Sequence, residues 1–361
     1  MKNKKLISKI ASLLSLSIIS HSNTHVSSLK KVFIPAAAIV GGGLAGATKI
    51  YRKFRYHKLL PQVTKEILNS EFQIHFVDVG AADCAVIRYK DKSWLIDVGY
   101  SLGASTDITK YLPDIGVTKL SGVILTHTHS DHFWNLKYII NDKKLDPDKF
   151  YYSYLDAPKT IKEKYDAMCY ESRVKEPIET FQKSKEKKNC IQVKPGFVIF
   201  QSDDKKFKIT VIGPVNHDDH VNNNSVVLLI EYQGKKILMM GDAEAKSEKE
   251  IMKYAKEKNI DISNVNLVKI GHHGSDTSSS TEFVKLTNPN TIVCSTGKHD
   301  LTLGLYNLHE YRSIIHKWID GNNRNKDEKC NALTTEEQTN IIAYYDNNDK
   351  ELKYVRKDKL H

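Results

Sequence analysis

Residues 124–133 read ILTHTHSDHF, with three histidines and an aspartate crowded into positions 127–132, directly after an apolar run. An imidazole buried without a partner is costly, and a structural strand end needs little polarity. The group His127, His129, Asp131 and His132 is therefore either a solvated loop or a metal-binding string. Alternate residues of an extended segment share a side, so His127 and His129 project together. Asp131 and His132 follow on the turn and can face a second point. Imidazole and carboxylate are the usual ligands of zinc. Two metals about 3.5–4 Å apart can share one hydroxide and clamp the attacked and leaving oxygens.

Such a centre needs more ligands, including an anion able to bridge. Asp242 in ILMMGDAE and the pair His272 and His273 in VKIGHHGS each follow an apolar strand. Alone, a Gly-Asp is ordinarily a turn, and HHG could be a loop with solvated rings. In order behind the first string, the three clusters are expected to converge on one edge of the fold. His21, His25 and His57 lie in a basic leader and are expected to play no part.

Around these clusters the chain reads as mixed α and β structure. FQIHFVDVG (72–80) alternates apolar and polar positions and ends at a glycine, which predicts a strand and a turn. CAVIRYKDKSWLIDVG (84–99) reads as two strands joined at KDK, and it repeats the ending Asp-Val-Gly. SGVILTH (121–127) has the length and continuity of a strand buried on both faces. Between Asp146 and Cys190 the chain is Lys- and Glu-rich at helical spacing. Strand signals return in FVIF, FKITVIGP, SVVLLIEYQGKKILMMGD, VNLVKIGHHG and TIVCSTG, with helical stretches between, and TNIIAYYDNNDKELKYV predicts a closing hairpin. The pattern predicts one α+β domain over residues 60–361, with two packed sheets and helices outside.

The formal charge of +11 has a local origin, because residues 1–60 hold eleven Lys or Arg and no Asp or Glu. The remainder has 43 acidic residues and as many basic ones, which argues against a general polyanion-binding surface. KSKEKKNCIQVK offers a local basic patch or a solvated helix. The leader, residues 1–59, has two apolar stretches. LISKIASLLSLSIIS resembles a signal-peptide core, although Lys9 interrupts it and no A-x-A site follows. Val32 to Thr48 carries no charge, is flanked by basic residues and approaches the length of a spanning helix, with Gly42 and Gly46 suited to close packing. A membrane anchor through residues 32–48 or an uncleaved signal is expected, hence a membrane-associated or secreted protein. No protein partner is expected. The five cysteines are scattered without a C-x-x-C pair, so neither a disulfide framework nor a cysteine metal site is indicated.

The string H-x-H-x-D-H, followed by NNNSVVLLIEYQGKKILMMGDAE and LVKIGHHGSDTSSSTEFVKLTNPNTIVCSTG, resembles the metallo-β-lactamase superfamily, and within it the ComEC-type branch. The resemblance covers most of residues 72–300. It implies an αββα four-layer sandwich with the metals at the edge between the sheets, and hydrolase chemistry often directed at phosphodiesters. His127 and His129 map onto the ligands of one metal, Asp131 and His132 onto those of the other, and Asp242 onto the bridging carboxylate. His272 is expected as a further metal ligand. Asp131 is expected to orient the hydroxide, and His273 with Ser275 to donate hydrogen bonds to developing charge on the substrate. Two divalent ions are implied, zinc first, with manganese also suited.

Three departures from the branch stand out. Ala81 and Ala82 replace Gln and Gly in Val-Gly-Gln-Gly-Asp, and Phe133-Trp134-Asn135 replaces Ile-Gly-Gly. Leu305 takes the place of a histidine, for which His299 or His309 could substitute. His217 and His220 are candidates for the remaining ligand of the first metal, or else belong to a surface loop. Three function classes stay open: a phosphodiester hydrolase acting on nucleic acid or a phosphorylated envelope polymer, a hydrolase of carboxylic esters, lactones or β-lactams, and a membrane-tethered relative without catalysis.

Overall fold

The computed structural model describes residues 59–99, 106–156, 169–184, 189–297, 310–321 and 330–358. The two apolar stretches of the leader lie outside these residues, as do His21, His25, His57, His299, Leu305 and His309. Among the described residues, no helix is long and apolar enough to cross a membrane.

The first three strands, β1 (Phe72–Phe76), β2 (Ala85–Tyr89) and β3 (Lys92–Ile96), form an antiparallel meander. The predicted turn at KDK tightens to Lys90 and Asp91, with Lys90 at φ +54°. From β3 the pairing turns parallel through β4 (Gly122–Ile124), β5 (Phe150–Tyr152) and β6 (Cys190–Gln192). Parallel neighbours need long crossovers, and helices Ile108–Asp114, Leu136–Ile140 and Glu176–Ser184 supply them. The second sheet repeats the plan. Strands β7 (Val198–Gln201), β8 (Phe207–Gly213), β9 (Val227–Tyr232) and β10 (Lys235–Met239) are antiparallel. Gln233 and Gly234 join β9 to β10 with φ of +46° and +82°, the conformation that a tight two-residue hairpin demands. Parallel pairing continues through β11 (Leu267–Lys269), β12 (Thr291–Cys294) and β13 (Asn331–Thr334), bridged by helices Ala245–Glu257, Thr281–Thr287 and Glu310–Gly321. The predicted last hairpin, β14 (Asn340–Asp346) and β15 (Glu351–Lys357), returns to the first sheet beside β1.

The sheets run β15-β14-β1-β2-β3-β4-β5-β6 and β13-β12-β11-β10-β9-β8-β7. Phe72, Ile74, Trp94, Phe207 and Tyr232 pack in one core cluster between them, and two further clusters lie under the helices on either outer face. The four-layer sandwich expected from the sequence is the observed architecture. One local difference is that the polar positions of β1 are not solvated. Gln73 and His75 are both buried, and His75 sits between Tyr111 Oη and Gln73 Oε1, each 2.9 Å away. The helix Ile108–Asp114 covers this face and supplies Tyr111.

Two buried side chains pin distant segments. Glu248 accepts the N–H groups of Ser279 (2.6 Å) and Ser280 (2.7 Å) at the start of helix Thr281–Thr287, and burial pushes its carboxyl pKa up. Glu248→Ala should lower the stability by about 2–3 kcal/mol, since two N–H groups lose a charged acceptor. An unchanged urea midpoint would show that water replaces it. Asn340 spans the other end: its Oδ1 accepts Asp78 N (2.8 Å) and Thr106 Oγ1 (3.0 Å), and its Nδ2 donates to the Lys357 and Asp358 carbonyls.

Candidate metal centre

Five strand ends meet at one edge of the sandwich. The loop after β1 carries Asp83, β3 ends at Asp97, β4 leads into His127–His132, β10 into Asp242, and β11 into His272–Gly274. Asp242 is buried between the incoming imidazoles. Its Oδ2 lies 3.2 Å from His132 Nε2, 3.5 Å from His273 Nε2 and 3.9 Å from His127 Nε2. Asp131 closes the far side, with Oδ2 3.2 Å from His273 Nε2 and Oδ1 3.9 Å from His132 Nε2. His129 lies on the near side, its Nδ1 3.0 Å from His127 Nε2. The structure thus gathers His127, His129, Asp131, His132 and Asp242 around one point.

The histidine pair divides differently from the expectation. His272 and His273 both hold left-handed backbone, φ +45° and +50°, and their ring centroids stand 6.3 Å apart. His273 turns inward to Asp131 and Asp242. His272, expected as a ligand, turns to Thr277 Oγ1 (2.8 Å) and Glu244 Oε1 (3.4 Å), with Asn222 beside its ring. Of the pair it is therefore His273, not His272, whose ring lies within the group of side chains that could hold a metal ion. Ser275 lies on the His272 side, 3.3 Å from Thr277 Oγ1. His217 pairs with Asp156 at 2.6 Å at the exposed surface, and the His220 backbone N–H donates to Asp218.

Four residues not singled out from the sequence, Asp97, Ser295, Asp83 and Lys269, support the cluster. Asp97 accepts from Thr126 N (2.8 Å), Thr126 Oγ1 (2.7 Å) and His132 Nδ1 (2.7 Å). The Ser295 carbonyl accepts from His273 Nδ1 at 3.0 Å, and Asp83 Oδ1 stands 3.6 Å from the same nitrogen. Asp83 is paired in turn with the buried ammonium of Lys269, which also donates to the Gly241 carbonyl at 3.1 Å. His132 and His273 thereby have Nδ1 committed outward, to Asp97 and to the Ser295 carbonyl, and Nε2 aimed at Asp242, the arrangement by which outer partners orient metal-binding histidines.

The charges are mutually dependent. Burial pushes His132 toward neutrality, but the carboxylates of Asp242, Asp97 and Asp131 outweigh it and hold its pKa well above the ordinary imidazole value. His273 is raised in the same way against burial, by Asp242, Asp83 and Asp131. Burial opposes ionisation of Asp242 and Asp131, yet His132 and His273 hold both carboxyls low. His127 goes the other way: burial, then His132 and His129, keep it well below the usual value and hence neutral at pH 7.

These residues fit a divalent cation. Asp83 Oδ1, His132 Nε2, Asp242 Oδ1 and His273 Nε2 are buried without a hydrogen-bond partner, and one ligand atom from each of the four residues lies within 4.8 Å of the others. Contacts of 3.2–3.9 Å are long for hydrogen bonds. They suit nitrogen and oxygen atoms sharing an ion at about 2.0–2.2 Å. Asp83 is neutralised by Lys269, so Asp131, His132, His273 and Asp242 form the better donor set.

The chain is 26% identical over 273 residues to ComE operon protein 3 of Bacillus subtilis (strain 168), covering 68% of this chain and 32% of that protein. It is 23% identical over 265 residues to Recombination protein 2 of Haemophilus influenzae, covering 70% of this chain and 28% of that one. The chain spans less than a third of the length of either relative. Among solved structures, Igni18, a novel metallo hydrolase from the archaeon Ignicoccus hospitalis, aligns with a TM-score of 0.45 at 15% identity, over 75% of this chain and 98% of its own. The family model described as metallo-beta-lactamase superfamily matches residues 77–298, the span that contains every residue of the cluster above. With the sandwich, the histidine string and that match in hand, the chain belongs to the metallo-beta-lactamase superfamily.

Proposed function

We propose that this protein is a metal-dependent hydrolase that uses two divalent ions, zinc or manganese, to cleave phosphodiesters. The observation that carries the proposal is the buried carboxylate oxygen Asp242 Oδ2, on which His127, His132 and His273 converge at 3.9, 3.2 and 3.5 Å. His127 and His129 would hold one ion, Asp131, His132 and His273 the second, and Asp242 both. Bound there, the ions supply an acidic water and the positive charge that stabilises both oxygens of an in-line displacement. Asp131 is partly exposed and held ionised, so its carboxylate can accept a hydrogen bond from the attacking water and orient it. Glu244, His272, Thr277 and Ser275 form the wall beside Asp242, where a substrate oxygen or its leaving group would rest.

Zinc or manganese titration should give close to two equivalents, and a chelator should remove phosphodiesterase activity on bis-nitrophenyl phosphate. Turnover that survives complete metal removal would end the reading. Metal uptake should also strengthen as pH rises. His132 and His273 are held protonated by their carboxylates, so a metal must displace those protons, and alkaline conditions reduce the competition. Calorimetry at pH 6 and pH 8, in buffers of different ionisation enthalpy, measures the released protons directly. Affinity that does not change with pH would contradict the charge state described above.

The uncharged stretch 32–48 is proposed as the membrane anchor. The full chain should then stay with membranes in 1 M salt, where screening shortens electrostatic reach to about 3 Å, and should leave only with detergent. Release by salt alone would show an electrostatic attachment through the basic leader instead.

A further inference from the structure

A stacked Arg–Trp pair is joined to the turn that follows the histidine string. Trp134 caps the short helix Ser130–Phe133, one turn beyond Asp131, and residues three apart on a helix share a face. Arg173, from the π-helical turn Glu171–Lys175, lies over the indole with its Cζ 3.6 Å from the ring centroid. Its Nη1 donates to the Trp134 carbonyl at 2.9 Å. The neighbouring acids are engaged elsewhere: Glu171 pairs with Lys175 at 2.9 Å, and Asp156 with His217 at 2.6 Å. Among the described residues, no carboxylate pairs with Arg173.

Two contacts hold this wall against the string. Thr128, between His127 and His129, donates its hydroxyl to the Asp156 carbonyl at 2.6 Å, and Tyr170 donates its hydroxyl to the Leu155 carbonyl. The start of the Arg173 helix is therefore tied to the strand end beside His127 and, through Trp134, to the turn after Asp131. A guanidinium has five N–H donors in a planar fork matched to phosphate. Stacking on an indole fixes that fork in advance, which lowers the ordering cost of binding an anion.

We propose that Arg173, oriented by Trp134, binds a phosphate that flanks the scissile one. The centre then prefers substrates carrying at least two phosphates to an isolated diester. This rests on the phosphodiester reading above and narrows it to polyphosphorylated chains.

The test compares two esters with the same leaving group, thymidine 5′-(p-nitrophenyl phosphate) and its 3′-phosphorylated counterpart, on the metal-loaded full chain. Arg173→Gln should raise KM for the 3′-phosphorylated ester by about 10–100-fold, the scale of one lost charged hydrogen-bonding contact, with kcat within about twofold. KM for the other ester should stay within about twofold. Arg173→Lys should fall between, because it keeps the charge and loses the fork. Equal effects on both esters, or none on either, overturn the proposal. A second readout needs no turnover. The metal-free wild type should bind thymidine 3′,5′-bisphosphate more tightly than thymidine 5′-monophosphate by calorimetry, and Arg173→Gln should abolish the difference. Equal wild-type affinities overturn the subsite even if the chain cleaves phosphodiesters. A retained bisphosphate preference without cleavage of either ester supports the subsite and removes the phosphodiesterase reading.

Discussion

Asp242→Asn should reduce phosphodiester hydrolysis by roughly 10³-fold or more while leaving the fold intact. Removing one preorganised charge-stabilising group already costs about 10²–10³ in turnover, and under the proposed function this carboxylate would serve two ligand sets. Its Oδ2 is the atom on which His127, His132 and His273 converge. An amide of the same shape keeps the packing, because the side chain lies in a pocket made by three rings and by Ser225, whose hydroxyl accepts the Asp242 N–H at 3.0 Å. The charge, however, is lost. The bound metal should fall from near two equivalents to one or fewer, and the urea midpoint should move much less than the activity. Wild-type turnover with two metals retained in the Asn variant would remove Asp242 from the bridging position.

A second large effect is expected at Lys269, and it concerns stability before activity. Lys269 and Asp83 have side-chain exposures of only 4% and 7%. Breaking a buried pair by deleting one partner typically costs about 3–5 kcal/mol, because the remaining charge has no compensation. Lys269→Met leaves the Asp83 carboxylate uncompensated and close to Asp242, and it removes the donor to the Gly241 carbonyl. The single variant should therefore unfold at markedly lower urea. Lys269→Met combined with Asp83→Asn should recover much of that loss, while metal affinity should stay about 10–100-fold weaker because His273 has lost an outer partner. A single variant within about 1 kcal/mol of wild type would show that water neutralises Asp83.

The different legibility of these residues has a physical origin. The string from His127 to His132 is local, since four ligand-type side chains in one strand-to-turn segment have few other uses. Asp242 and the histidine pair were legible through their position after apolar runs. Asp97 was not, because the triplet Asp-Val-Gly occurs twice and the two copies behave differently. Asp78 accepts from Gly80 N and donates its own N–H to Asn340 Oδ1, whereas the Asp97 carboxylate accepts from Thr126 and His132. Only the parallel pairing of β3 with β4 brings Asp97 beside the histidine string. Lys269 reads as an interruption of an apolar strand, and its partner lies 186 residues away. The choice between His272 and His273 depends on two successive positive φ values, which neither strand nor helix periodicity supplies. The sheets were the easier inference, because hairpins and crossover helices each leave a sequence pattern of their own.

Asn340 also sets a timetable. It holds Asp78, in the loop that leads to Asp83, from 262 positions further along the chain, and β14 is what completes the sheet beside β1. At about 5–20 residues per second of synthesis, that interval lasts on the order of tens of seconds. The histidine string leaves the ribosome well before Asp242, His273 or the strand that fixes the Asp83 loop. Until β14 docks, β1 is an open edge of the first sheet. The centre therefore matures late, through a pairing of high sequence separation, which is the slow kind of folding event. Metal supplied during translation and metal supplied after release should accordingly give different yields of active protein.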